Sequence, residues 1–218
     1  MPPPVSSLSR RQARSAHTRA AILAAAERVF ARSGLAGART DAIAAEAGVN
    51  KALLYYYFDS KEELYEAVLE DHFRDFNRRA LEVLAAPGSA RELLLRYVAM
   101  HFDFISVRHR YAPLFQQLMS AGGKVPERLI RKYFTARSEA FGRLLQRGMN
   151  AGEFRRADRF HTAISIIALI VFYFSAAPVL QLLGHADAYS QAHLKRRKQE
   201  VLDFIRHSLF LEPHSNRK

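Results

Sequence analysis

Hydrophobic residues recur at intervals of three and four along almost the whole chain, and no stretch alternates regularly between apolar and polar positions. This spacing gathers apolar side chains on one face of an α-helix, whereas a half-buried strand would show a period of two. The pattern therefore predicts an all-α protein without strands.

Glycine, proline and capping residues divide the helical pattern into segments. Ser60 with Glu63, and Ser89 with Glu92, have the spacing of capping boxes, and Gly34 has the position that helix ends favour. These signals predict about nine helices, at residues 18–33, 41–47, 51–57, 61–84, 90–108, 111–120, 126–150, 159–183 and 189–211. A domain boundary is expected at the loop 85–88, which contains Pro87 and Gly88.

The charge balance narrows the possible partners. The 218 residues include 33 Lys and Arg against 21 Asp and Glu, a formal charge of +12 that favours polyanions such as nucleic acid. Arg10, Arg11, Arg14 and Arg19 precede the first acidic residue, Glu27, so a basic flexible arm is expected over 1–16. The chain has no cysteine, and its N-terminus has no apolar run typical of a signal peptide, so a cytoplasmic location is expected.

Residues 40–57 have the steric pattern of a helix-turn-helix. Ala44 is small where the two helices would cross, and Gly48 supplies the positive φ of the tight turn. Asn50 is expected to cap the second helix, while Leu54 and Phe58, four residues apart, point into the core.

The outward positions of that second helix suit DNA. Lys51 can reach a guanine edge, Ala52 and Leu53 can approach bases, and the hydroxyls of the Tyr55-Tyr56-Tyr57 run can bind phosphate oxygens. Lys61 would add a phosphate contact at the start of the next helix. The alternative is that the tyrosines are core aromatics whose hydroxyls reach the surface.

The stretch from Thr18 to Gly34, the Ile43-Ala44 and Ala47-Gly48-Val49 positions, Leu54-Tyr55, Phe58 and Ser60-Lys61 closely resemble the DNA-binding domain of the TetR family. The resemblance covers about 50 residues and implies a ligand-responsive regulator, a repressor in the simplest case, that binds a near-palindromic duplex operator as a homodimer. It implies a helix-turn-helix domain over 17–60, a connecting helix over 61–84, a ligand-binding and dimerisation domain over 85–212, and a tail at 213–218. Residues 90–212 resemble the family only in the number and order of helices.

The resemblance also implies which residues contact DNA. The expected set is Arg39, Thr40, Asn50, Lys51, Ala52, Leu53, Tyr55, Tyr56, Tyr57 and Lys61. Leu53 departs from the small or polar residues common at its position in the family.

The C-terminal part offers candidate ligand contacts. A mainly apolar or aromatic effector is expected to meet aromatic, adaptable and polar side chains of the helices over 90–183. The candidates are His101, Phe104, Phe115, Gln116, Met119, Phe141 and Phe172.

Residues 162–184 carry no charge and are long enough to span a bilayer, so a membrane-associated protein is an alternative. Pro178 and Gln181 within the segment favour a buried helix instead, and we expect 159–183 and 189–211 to form the homodimer interface, without a membrane.

Two other classes remain. The nine histidines are scattered and no zincin or P-loop motif occurs, so we expect no enzyme, cofactor or metal site. A non-specific nucleic-acid-binding protein would also be basic, but it would not need a large apolar C-terminal domain.

Overall fold

The computed structural model describes residues 7–108, 114, 127–184 and 187–212. Over these ranges the chain forms α-helices and no strand; the sole β-type pairing there is an isolated bridge between Phe154 and Phe210. The helices are α1 (Ser7–Gly37), α2 (Thr40–Ala47), α3 (Lys51–Tyr57), α4 (Lys61–Ala85), α5 (Ala90–Val107), α6 (Glu127–Asn150), α7 (Arg159–Leu182) and α8 (Gln191–Leu209). The all-α prediction is confirmed, and the helix predicted at 111–120 lies outside the described residues.

The start of α1 differs from the helix boundary predicted from the sequence. The helix begins at Ser7 rather than near residue 18, and residues 11–17 are helical with exposed side chains. Arg, Gln and Ala are good helix formers, so this extension needs no apolar face. The far end agrees with the sequence, because Gly34 leaves the helical conformation with a φ of 66°.

Side-chain caps fix where the other helices begin. The Oδ1 of Asn50 accepts from the Leu53 amide at 2.7 Å, and the Ser89–Glu92 capping box forms both of its bonds. The Ser60 hydroxyl caps α4, but the Glu63 carboxylate accepts from the Asp59 amide at 2.6 Å instead of from that of Ser60. The capping residues read from the sequence therefore set these boundaries.

Two packed regions share α4. At its first half, Tyr65 meets Phe30 of α1 edge to face, with ring centroids 5.0 Å apart. At its second half, Phe76 lies 5.1 Å from the Phe104 ring of α5 and Phe73 lies 5.0 Å from the Phe134 ring of α6. One continuous helix thus belongs to both the N-terminal and the C-terminal core.

Helix α7 is apolar on all sides but only partly covered. The helix has 24 residues and the mean hydropathy of its most apolar 18-residue stretch is 2.3, which meet the length and composition of a membrane span; 22% of that stretch is buried. Ile166, Ile170 and Phe174 face the core, whereas Phe172, on the other side, is 71% exposed.

Candidate nucleic-acid interface and ligand cavity

The turn between α2 and α3 has the tight geometry that the sequence predicts. Gly48 adopts a φ of 68° and a ψ of 30°, and the Val49 amide donates to the Ala44 carbonyl at 3.0 Å. Ile43, Ala44 and Leu54 are buried between the two helices, and Phe58 closes the core below them. The angle of α3 is therefore set by packing rather than by its exposed residues.

The exposed face of α3 carries Lys51, Ala52, Tyr55 and Tyr56. Tyr56 is 78% exposed, although its ring packs edge to face on that of Tyr57. The Lys51 ammonium lies 3.0 Å from the Asp41 carboxylate. The contact of Tyr55 is weak, since its hydroxyl lies 3.5 Å from the hydroxyl of Thr40.

Three of the other predicted DNA residues, Asn50, Tyr57 and Lys61, have structural partners. Asn50 is the α3 cap, and the Tyr57 hydroxyl lies 3.0 Å from that of Ser15 in α1. The Lys61 ammonium donates to the Ala38 carbonyl at 3.2 Å, and Leu53 is half-buried. Arg39 is exposed just before α2, beside the half-buried Thr40. Several of the predicted DNA residues are therefore held by contacts within the N-terminal helices and are not freely exposed.

Basic residues of α1 flank this surface. Arg11, Arg14 and Arg19 are exposed, and the Arg19 guanidinium lies over the Phe58 ring, 5.0 Å from its centroid. Since Phe58 directly follows α3, these charges belong to the same end of the molecule as the exposed face of α3.

A cavity of about 600 Å³ lies between α4, α5, α6 and α7. Aromatic and aliphatic side chains form most of its wall, and charged residues of α6 and of the start of α7 form the remainder. The lining residues are Phe76, Tyr97, His101, Phe134, Arg137, Ser138, Glu139, Phe141, Gly142, Arg143, Asp158, Arg159, Phe160, Ala163, Ile164, Ile167 and Val171.

The polar groups deepest in this wall are His101 and Arg137, which are only 4% and 9% exposed. Burial, and secondarily the charge of Arg137, lowers the pKa of His101 to about 3, so the imidazole is neutral near pH 7. The guanidinium lies over the rings of Phe76 and Phe134, 4.8 Å and 4.4 Å from their centroids.

The structure separates the predicted ligand residues into three groups. His101 and Phe141 line the cavity. Phe104 is buried against Phe76 and Arg108 and does not line the cavity. The structure places Phe172 differently from the prediction, because its side chain lies in a groove between α7 and α8, outside the cavity. Phe115, Gln116 and Met119 lie outside the described residues.

Sequence reasoning missed Arg137, a charged side chain that lines the cavity. A signal was present, since Tyr133, Arg137 and Phe141 follow at four-residue spacing and all three are buried. In the described ranges, no group of three or more His, Asp or Glu side chains is arranged to hold a metal ion.

Comparison with known proteins identifies the class that these two sites define. Residues 22–68 match the profile of the bacterial regulatory proteins of the tetR family, and residues 91–205 match a tetracyclin repressor-like C-terminal domain. The chain belongs to the TetR family of transcriptional regulators.

Individual relatives agree with that assignment. The chain is 31% identical to the HTH-type transcriptional repressor NicS of Pseudomonas putida, over 86% of this chain and 88% of the relative. It is 38% identical to the HTH-type transcriptional repressor SCO4008 of Streptomyces coelicolor, over 56% of this chain and 62% of that relative.

Solved structures share the fold. The ketosteroid regulator KstR2 of Mycobacterium tuberculosis superposes with a TM-score of 0.74 at 19% identity, over 89% of this chain and 95% of the other. The regulator FadR of Bacillus subtilis, in complex with stearoyl-CoA, superposes with a TM-score of 0.68 at 21% identity, over 85% and 96% of the two chains.

Family membership resolves the classes that the sequence left open. The protein is a DNA-binding transcriptional regulator and not an enzyme, and neither the membrane-spanning interpretation of α7 nor non-specific packaging is favoured. Regulators of this family bind operator DNA as dimers and respond to small molecules.

Proposed function

We propose that this protein is a homodimeric repressor that binds a near-palindromic operator through α3 and releases it when a small, mainly apolar molecule fills the cavity. The observation that carries the proposal is the continuity of α4. Its first half packs on the DNA-binding helices, and its second half lines the cavity through Phe76. A cytoplasmic location follows from the proposed role.

The exposed face of α3 supports sequence-specific reading. Lys51, Tyr55 and Tyr56 offer donors, and Ala52 between them leaves room for close approach to a base pair. Asn50 and Tyr57 would act as positioning residues, because the first caps α3 and the second bonds to α1. Arg39, Thr40, Leu53 and Lys61 would contact the backbone or neighbouring bases after local rearrangement.

The apolar surface of α7 and α8 supports the homodimer. Its groove is lined by Ser165, Ala168, Phe172, Phe204 and Ser208, and the two phenylalanines are 71% and 57% exposed. A surface of this kind is costly to leave in water. Two-fold pairing of α7 and α8 would cover it and would present two copies of α3 to one duplex.

A route for release runs along α4. Phe76, which lines the cavity, lies four residues after His72, so both share one face of the helix. The Nε2 atom of His72 lies 3.6 Å from a carboxylate oxygen of Glu27 in α1. A ligand that displaces Phe76 would therefore move the contact that orients the DNA-binding helices.

DNA reading is tested with a duplex selected from a randomised library, by fluorescence anisotropy. Lys51→Ala and Tyr56→Ala should each cost about 1–3 kcal/mol of binding free energy on the selected duplex. Lys61→Ala should weaken all duplexes alike and reduce the salt slope by about one. Arg131→Ala, at an exposed position on α6, is the matched control. Unchanged affinity in all three variants, or selection of no preferred sequence, would contradict the proposal.

Release is tested by a thermal-shift screen followed by operator titration with each stabilising compound. A coupling of about 1–3 kcal/mol would weaken operator binding roughly 5- to 150-fold, and operator DNA would weaken ligand binding by the same factor. If every stabilising compound leaves operator affinity unchanged, the protein is not a ligand-released switch.

A further inference from the structure

The wall of the cavity holds a positive charge without a counterion. Arg137 is 9% exposed, and its Nη1 atom has no hydrogen-bond partner. The ion pairs of the described residues include the neighbouring pair Glu139–Arg143 but none to Arg137. No acidic residue falls outside the described ranges, so an undescribed Asp or Glu side chain cannot supply the missing charge.

A buried guanidinium without a carboxylate is an unfavourable arrangement for stability alone. Desolvation penalises the charge, and an arginine stays protonated in proteins, so it cannot escape by losing its proton. The rings of Phe76 and Phe134 compensate only in part, because a cation–π contact supplies no acceptor for the N–H donors. The side chain thus has unused donors where the cavity begins.

A second buried polar group points to the same place. His101 lines the cavity, is 4% exposed, and its Nδ1 atom has no hydrogen-bond partner. Its ring packs against Phe76 at a centroid distance of 4.5 Å, and Phe76 also contacts Arg137. Two unsatisfied buried groups, one cationic and one neutral, therefore surround one aromatic ring of the cavity.

The acidic residues of the wall are engaged elsewhere. Glu139 lies 3.7 Å from Arg143, and the Asp158 side chain accepts from the His161 amide at 2.8 Å as the cap of α7. A ligand cation would meet the uncompensated charge of Arg137 in the buried part of the wall, whereas an anion would meet its open donors.

We propose that the effector is an amphipathic acid, whose carboxylate binds Arg137, with His101 as a neutral hydrogen-bond partner, and whose apolar body fills the aromatic part of the cavity. That binding releases operator DNA rests on the proposed function, whereas the chemical class of the ligand is inferred from Arg137, His101 and the aromatic side chains of the cavity. Guanidinium and carboxylate match in a planar, two-bond geometry, and their hydrogen bonds are stronger than neutral ones.

The test compares probes that differ only in their head group. The probes are 4-phenylbutanoate and decanoate, the matching alcohols and amines, and decanoyl-CoA, each titrated into the full-length protein by calorimetry. At least one acid should bind, and the matching alcohol and amine should bind more weakly by about 10- to 150-fold. The CoA thioester tests whether the anion is a free carboxylate or a phosphate, since its acyl end carries no charge.

Three variants assign the effect to Arg137. Arg137→Met should remove the preference for the acid over the alcohol, and Arg137→Lys should keep part of it. Arg131→Met, the same change on the same helix at a side chain that is 78% exposed and does not line the cavity, should leave the preference intact. Without ligand, Arg137→Met should melt at the same temperature as the wild type or higher, because it removes a buried uncompensated charge.

The outcomes are decisive in both directions. Binding that depends on Arg137 supports the anion site, and the comparison of decanoate with decanoyl-CoA shows which group supplies the charge. Alcohols or amines that bind as tightly as the acids, acids that do not bind, or acid binding that survives Arg137→Met would each overturn the inference. A neutral compound that releases operator DNA would overturn it while leaving the proposed switch intact. An acid that binds at Arg137 without affecting operator affinity would remove only the switch.

Discussion

Lys51 and Tyr56 face solvent on the same helix, but they are not equally ready to bind DNA. Tyr56 is largely exposed, whereas the ammonium of Lys51 is paired with Asp41 at 3.0 Å. In the proposed complex, DNA must compete with that carboxylate for Lys51, and the carboxylate itself repels phosphates. We therefore expect Asp41 to lower affinity for every duplex, and more so at low salt.

We predict that Asp41→Asn tightens DNA binding. An exposed ion pair is worth about 0.2–1 kcal/mol, so the gain should be a few-fold for selected and random duplexes alike. Asp71→Asn, which breaks a comparably exposed pair with Arg74 on α4, is the control and should have no effect. Anisotropy titrations at two salt concentrations measure both, and weaker binding by Asp41→Asn would mean that the pair orients Lys51 for DNA.

His101 should make stability depend on pH. Its pKa is lowered to about 3 in the folded protein, so between that value and about 6.5 the unfolded chain binds more protons. The free energy of unfolding should therefore fall as the pH falls, by up to about 1.4 kcal/mol per pH unit.

His101→Phe should flatten this dependence between pH 6.5 and 5, a difference of about 2 kcal/mol at the lower pH. His207→Phe, at an exposed position, should retain the slope of the wild type. Urea denaturation at several pH values provides the comparison, and equal slopes in all three proteins would show that His101 is accessible to protons in the fold.

Of the candidate ligand residues, His101 and Phe141 line the cavity, but sequence reasoning did not include its charged residue Arg137. Charged side chains are normally expected in solvent, and only the assembly of four helices buries Arg137. Phe172 was expected to face the ligand and does not line the cavity for a different reason. In a helix that is apolar on all sides, periodicity cannot distinguish the inner face from the outer face. Its neighbours Ile170 and Phe174 are buried while it is not.

At the scale of elements, the turn between α2 and α3 depends on backbone conformation rather than on space. A Cβ atom added at Gly48 would meet nothing within 4 Å, but the φ of 68° is unfavourable for any L-residue with a side chain. We predict that Gly48→Ala destabilises the protein by about 1–2 kcal/mol.

Gly142→Ala is the matched control, since it too has open space but lies inside α6. It should stabilise by roughly 0.5–1 kcal/mol, because alanine favours a helix interior. Urea denaturation of the three proteins gives the values, and a loss of stability at both positions would indicate a steric cause instead.

Local chemistry predicts elements where it is strong. The range 51–57 was predicted from Asn50 and the apolar spacing, and α3 has these bounds because the Asn50 cap forms. The predicted start of α1, near residue 18, was wrong because residues 7–17 form a helix without an apolar stripe, so periodicity has nothing to detect.

At the scale of the whole molecule, the exposed groove of α7 and α8 is the proposed homodimer interface. We predict that Phe172→Asp converts a dimer into a monomer at micromolar concentration, because a carboxylate would be buried in the proposed interface. Operator affinity should fall with it, since one α3 cannot reach two half-sites.

Val107→Asp is the control, at a residue that is 77% exposed on α5 and does not line the groove. Analytical ultracentrifugation should show a dimer for the wild type and for this variant. A monomeric wild type, or a Phe172→Asp variant that remains dimeric, would place the interface elsewhere.

The end of α8 returns to the start of α5. The Glu153 carboxylate accepts hydrogen bonds from the amides of Ala90 and Arg91 at 3.2 Å and 2.8 Å. The Leu211 amide donates to the Glu153 carbonyl at 3.1 Å, and the Arg91 guanidinium donates to the Leu211 carbonyl. Since α5 begins just after α4 ends, Leu211 lies at the far end of α4 from Lys61. Twenty-five residues of helix span about 37 Å. A dye or a biosensor surface attached through Leu211 would therefore stand clear of the duplex and present α3 outward, whereas the same attachment on α1 would obstruct the DNA.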